Sequence, residues 1–101
     1  MPKGYIVFTE DIHDQDQIND YAQKAVPTIL QAGGQILVVD DAPAPIEGDW
    51  HGTRTVILEF ESVEAARNWY ESAEYQEHAP LRHAAADNKA AIVAGFEMPA
   101  G

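Results

Sequence analysis

Side chains able to do chemistry gather in two stretches. The first is the loop "EGDWHG" at residues 47–52, which sets Asp49, Trp50 and His51 between two glycines, with Arg54 just beyond. Loops on a rigid scaffold carry function more often than core strands do. An imidazole exchanges a proton near neutral pH, and a guanidinium fork holds an oxyanion. His51 is therefore the candidate base and Arg54 the candidate anion stabiliser for a carbonyl or enol oxygen, beside Asp49 and an aromatic wall, Trp50. The competing expectation makes Trp50 a hydrophobic plug and leaves His51 in water.

The second stretch is "WYESAEYQEHAPLRHAAAD", residues 69–87. Trp69 and Tyr70 sit at helical spacing and are expected in the core. Tyr75 fills a corner between helical pieces and is a ligand-binding candidate through its hydroxyl. Arg82 can grip a ligand carboxylate, but in a chain so rich in acids an internal ion pair is the more expected fate. Glu74 with His78, and His83 with Asp87, are four apart, a spacing at which a carboxylate orients an imidazole and at which surface pairs are also commonplace. No metal-binding motif of the HExxH kind occurs, and no metal or other cofactor is expected. Tyr5, early in the chain, is a further ligand-binding candidate, with interface packing as its alternative.

The totals bound what these groups can serve. The 101 residues suit one domain spanning 1–101, with enough chain for a core without staples. Cysteine is absent, which removes disulfides, thiolate metal sites and cysteine nucleophiles. A formal charge of −11 disfavours nucleic acid and anionic membrane surfaces as partners. No apolar run approaches the ~18 residues of a membrane span, and "MPKGYIVFTED" lacks the shape of a signal peptide, so a cytoplasmic location is expected.

Periodicity supplies the scaffold. "KGYIVFTEDI" (3–12) is a strand. Asp14 with Gln17 opens a helix whose stripe is Ile18, Tyr21, Ala22, Ala25, Val26, Ile29 and Leu30. Pro27 removes a hydrogen bond inside it and predicts a kink, and Gly33–Gly34 end it. "QILVVDD" (35–41) and "TRTVILEFE" (53–61) are strands flanking the loop. Ser62 caps a helix to about Tyr70, Ser72 caps another piece, and Pro80 predicts a break at Ala79. "KAAIVAGFEM" (89–98) closes as a strand. Strand, helix, two strands, helix, strand is the order of a ferredoxin-like α+β sandwich, with an antiparallel sheet and the helices on one face.

The strands are apolar on both sides. Ile6 and Phe8 point one way and Tyr5 and Val7 the other; Val56, Leu58 and Phe60 share a face with Ile57 opposite. Two helices cover one face only, and the remainder exceeds the patch a monomer usually exposes. Burying ~400 Å² is worth about 10 kcal/mol per subunit at ~25 cal/mol/Å², less several for association. A homodimer paired sheet to sheet is expected.

"GG" at 33–34, "EGDW" at 47–50, "EFES" at 59–62, "EAARNWYESAEYQ" at 64–76 and "PLR" at 80–82 together resemble the bacterial domain of unknown function 1330. The resemblance spans about residues 3–97. It implies the dimeric α/β-barrel superfamily, in which two ferredoxin-like subunits join their sheets into a barrel. That superfamily includes cofactor-free monooxygenases of aromatic polyketides, haem-handling enzymes, muconolactone isomerases and stress-responsive proteins, so fold alone assigns no reaction. The function expected is binding of a small apolar or aromatic metabolite near Tyr5, Trp50, His51 and Arg54, with cofactor-independent acid–base or oxidation chemistry. The alternative is a non-enzymatic dimer that binds a ligand or another protein.

Overall fold

A computed structural model describes residues 2–99. Along the chain lie β1 (Gly4–Ile12), α1 (Gln15–Gln31), β2 (Gln35–Asp40), β3 (Arg54–Phe60), α2 (Val63–Glu71), α3 (Ala73–Gln76), α4 (Ala79–Ala85) and β4 (Ala86–Ala94). The four strands form one antiparallel sheet in the order β2-β3-β1-β4. This is the ferredoxin-like α+β arrangement, with the second helical segment divided into three.

The local signals act as their chemistry requires. Asp14 accepts from the amide of Gln17 at the start of α1, and Ser62 and Ser72 cap α2 and α3 in the same way. At the end of α1, Gly33 takes φ +79°. The amides of Gly33 and Gly34 return to the carbonyls of Leu30 and Ile29, which satisfies the last turn. The helix runs uninterrupted through Pro27. Pro80 occupies the first turn of α4, where its missing N–H costs nothing; Ala79 is thus helical, and the expected break falls earlier, between Gln76 and Ala79. Leu30, expected in the buried stripe, is 59% exposed.

The last strand also differs from its expected span of 89–98. It begins at Ala86, because β1 is long enough to pair Glu10, Asp11 and Ile12 with Asn88, Asp87 and Ala86. It ends at Ala94, beyond which Gly95 bonds to the carbonyl of Lys3 and the described residues leave the sheet.

Alternation along each strand decides two faces. Ile6, Phe8 and Glu10 of β1 are buried under the helices, with Leu58 and Phe60 of β3. With Trp69, Tyr75 and the α1 stripe they form the core. The opposite face carries Tyr5, Val7, Thr9, Thr55, Ile57 and Val93, and no helix lies on it. No helix among the described residues is long and apolar enough to cross a membrane.

Candidate functional site

The loop between β2 and β3 folds back over the open sheet face. Trp50 Nε1 donates to Thr55 Oγ1 at 2.8 Å, and His51 Nδ1 bonds Thr9 Oγ1 at 2.6 Å. Thr9 and Thr55 are direct cross-strand partners, so the two loop aromatics rest on one threonine pair. Asp49 is exposed. Tyr5 lies on the same face, its hydroxyl donating to Glu59 at 3.0 Å, but four residues along a strand put it about 13 Å from Thr9.

Arg54 belongs to the other face. It pairs in register with buried Glu10, and its Nε bonds the carboxylate of Asp41. His51 and Arg54 therefore cannot meet one substrate oxygen as base and anion stabiliser: the sheet stands between them. The expected cluster of Tyr5, Trp50, His51 and Arg54 is split, because Arg54 shares the alternation of Val56 and Leu58 and not that of Thr55. The pairs Glu74–His78 and His83–Asp87 are not formed either. His78 lies 4.0 Å from Glu77, and His83 Nε2 accepts from Arg82 Nη2 at 3.2 Å.

Beneath α1 the structure brings other groups together. This helix packs against α4 and leaves a cavity of about 110 Å³ between itself and the sheet. The volume holds roughly three or four waters at ~30 Å³ each, or one small ring. Its lining is apolar, from Phe8 and Ile18 to Val39 and Leu58, except for Glu10, Tyr21 and Arg54. Glu10 is 4% exposed. Among the described residues none makes a hydrogen bond or an ion pair within 4.0 Å to its carboxyl group. Burial pushes its pKa above the ordinary carboxylate value, against the pull of Arg82 and then Arg54.

Arg82 is 2% exposed, in the last turn of α4. Its guanidinium lies 4.8 Å over the Phe8 ring and 5.9 Å from that of Tyr21, two cation–π contacts that stand in for water. Among the described residues Arg82 forms no ion pair with a carboxylate, unlike the internal pair expected for it. Its Nε donates to Tyr75 Oη at 3.2 Å, and Tyr75 Oη lies 2.8 Å from Tyr21 Oη. Tyr75 is 0% exposed, so it meets no ligand directly, contrary to its candidacy. Because burial first and Arg82 second disfavour charge on His83, its pKa is lowered and the ring is the neutral acceptor.

Donor inventory fixes the first bond of this chain, while either hydroxyl can donate in the second. Arginine only donates, so Tyr75 Oη accepts from Arg82. The hydrogen of Tyr75 then has one acceptor among the described residues, Tyr21 Oη, and a buried hydroxyl left unpaired costs about 1–3 kcal/mol. With Tyr75 as donor, the hydrogen of Tyr21 is left to a ligand in the cavity that Tyr21 lines together with Glu10. Burial raises the pKa of both tyrosines, which stay neutral donors. The arrangement thus offers one polarised O–H and one carboxyl group to the same small apolar space.

Glu10, Tyr21 and Asn88 were not among the sequence candidates. For Glu10 a signal existed: it continues the inward alternation of Ile6 and Phe8. Tyr21 lay in the recognised stripe but looked like packing. Asn88 fell just outside the strand as bounded from sequence.

Similarity to known proteins is extensive in fold and low in sequence. Among curated proteins there is no significant match. A solved protein of unknown function from Rhodopseudomonas palustris superposes with a TM-score of 0.74 at 17% identity, covering 96% of this chain and 85% of that one. SnoaB, a cofactor-independent oxygenase from Streptomyces nogalater, gives 0.70 at 11% identity with 97% of each chain covered. A dimeric protein of unknown function and ferredoxin-like fold from Bacteroides fragilis gives 0.61 at 6%, covering 91% of this chain and 95% of that one. The family model of the domain of unknown function 1330 matches residues 3–96, and the chain belongs to that family.

Proposed function

We propose that this chain binds a compact apolar or aromatic metabolite carrying one ionisable oxygen in the cavity beneath α1, and exchanges that oxygen's proton with Glu10. The observation that carries the reading is a carboxyl group on a nearly buried residue, without a hydrogen-bond partner among the described residues, that faces a mostly apolar cavity beside a hydroxyl linked through Tyr75 to a buried arginine. A carboxylate of raised pKa is a better base than one in water. As the proton leaves, the Tyr21 O–H meets the growing charge, an electrostatic role that asks for no rearrangement. The electron-rich anion so produced is the form of an enol or phenol that dioxygen oxidises without a cofactor, so proton transfer is the step these side chains supply. The likeness to a cofactor-independent oxygenase supports this direction at the level of fold.

The protein acts as a cytoplasmic homodimer joined through the open sheet face. Val7, Ile57, Val93 (46% exposed) and Trp50 (50% exposed) give that face its apolar character. A binding-only dimer is the second reading, favoured by the same face, and it makes no use of Glu10.

4-Nitrophenol tests the proposal, since its ionised form has its own absorption band. It should bind saturably, perturb the NMR signals of Glu10, Tyr21 and Ile36, and be held in part as the phenolate. Glu10→Gln should retain binding and lose the phenolate band. Binding without ionisation in the wild type would leave the second reading; perturbation confined to the open face would remove the cavity from consideration.

A further inference from the structure

One buried polar atom in the described structure has no partner: Oδ1 of Asn88. Its amide is not free to turn. The NH₂ group donates to the carbonyls of Arg82 at 3.2 Å and Ala86 at 2.8 Å, a pair of acceptors that only an amide nitrogen can meet. The oxygen therefore faces the other way, with almost no exposure to solvent. Leaving such an acceptor unpaired costs about as much as a hydrogen bond is worth, so a donor belongs beside it.

Register supplies the donor. Asn88 on β4 is the direct cross-strand partner of Glu10 on β1, and both lie on the helical face, between the pairs Phe8–Ala90 and Ile12–Ala86. Directly opposed residues have Cβ atoms about 4.5–5.5 Å apart, within reach for a Glu and an Asn side chain. Glu10 likewise lacks a partner. An ionised carboxylate cannot satisfy an amide oxygen, whereas a protonated one can.

We infer that Asn88 is a positioning residue that receives a hydrogen bond from the protonated carboxyl group of Glu10, and so sets how strongly the cavity holds its proton. The inference rests on Glu10 as the proton-exchanging group. In the ionised state Asn88 Oδ1 stays unpaired and faces a like charge; taking up a proton relieves both. The remaining groups around Glu10 act in known directions. Arg54 on β3 and Arg82 on α4 favour the anion and Asp41 opposes it, while Tyr21 on α1, Tyr75 on α3 and His83 on α4 are neutral. Burial works with Asn88. Asn88 thereby converts a structural acid into a base matched to a weakly acidic ligand oxygen, and it does so without touching the ligand.

The test uses the ligand-free full chain, labelled with ¹³C. In the wild type, the side-chain carbonyl carbon of Asn88 should titrate with the same midpoint as the Glu10 carboxyl carbon. Asn88→Leu should lower the Glu10 midpoint by about one pH unit, since one hydrogen bond and a tenfold change in proton affinity are similar in size. Glu10→Gln places a permanent NH₂ donor beside Asn88, whose carbonyl signal should then be independent of pH. An Asn88 signal that stays flat while Glu10 titrates overturns the inference, and so does an unchanged midpoint in Asn88→Leu. The wild-type readout decides the matter even where the variant does not fold. Failure of 4-nitrophenol to bind would instead count against the ligand reading alone and leave the coupled titration standing.

Discussion

Tyr75→Phe is the sharpest probe of the buried relay. The substitution keeps the ring, which packs 4.1 Å from Trp69 and 5.4 Å from Tyr70 between centroids, and deletes only the oxygen. Arg82 Nε then loses its acceptor in a site that is 2% exposed, and Tyr21 loses its hydrogen-bond partner. A hydrogen bond to a charged group contributes about 1.5–3 kcal/mol and a neutral one about 1, so the expected loss is about 3 kcal/mol. For a domain of this size that lowers Tm by roughly 12–24 °C. Tyr21→Phe should cost less, about 1 kcal/mol, since Arg82 keeps its acceptor and only the Tyr75 hydrogen is stranded. Urea unfolding at one fixed protein concentration measures both. The double variant should lose less than the sum, because the two changes remove a shared bond. If Tyr21→Phe cost nothing, the Tyr75 hydrogen would not be pointing at Tyr21, and the Arg82-to-Tyr75-to-Tyr21 order would be wrong.

Ile57→Glu places a charge on the open face between Val7 and Val38; light scattering should report the 11.1 kDa chain mass for the variant and twice that for the wild type, with unchanged far-ultraviolet dichroism. Glu10→Gln should alter how stability depends on pH. The folded pKa of Glu10 is raised, so the wild type has its full stability below the unfolded carboxylate pKa and loses part of it as pH rises through the folded value; the advantage of Glu10→Gln in Tm should therefore grow between pH 4 and pH 8. Arg82→Met should cost about 1.5–3 kcal/mol, the worth of its charge-assisted hydrogen bond to Tyr75, and should further disfavour the Glu10 anion. Adding Glu10→Gln should recover part of that loss, and a double-mutant cycle showing no coupling between residues 10 and 82 would contradict their electrostatic link.

The fold was legible because every level of the sequence pointed the same way. Caps at Asp14, Ser62 and Ser72, a left-handed glycine at Gly33 and alternation in β1 and β3 each specify structure within a few residues. Strand ends were less legible. The start of β4 depends on how far β1 extends, which is a property of the partner strand and not of the sequence "ADNK". The site was legible only in part, for a related reason. Tyr75 and Arg82 were visible as chemical side chains, but their partners Tyr21 and Glu10 lie 54 and 72 positions away from them. Nothing in a local window brings those pairs together; α1 and β1 do so by packing. Arg54 misled because the loop before it and the strand it opens serve opposite faces of the sheet.

That reversal gives the loop a different purpose from the one its composition advertises. Gly52 has φ +88°, and a Cβ there would lie 2.7 Å from the backbone carbonyl of Glu10. The next residue, Thr53, donates its amide to that same carbonyl at 2.8 Å, and its hydroxyl accepts from the amide of Ile12. His51 and Trp50 hold Thr9 and Thr55, the pair adjoining Glu10 and Arg54 along the two strands. The imidazole and the glycine therefore grip one short length of β1 from outside, and the indole grips its partner residue on β3, where successive side chains face opposite ways. Glu10 is the member of that length that faces inward. A carboxylate in an apolar layer is costly unless its backbone is fixed by something else, since otherwise a shift of one residue would carry it to water. The loop supplies that fixation: its chemical-looking residues hold the strand, and the strand holds the acid.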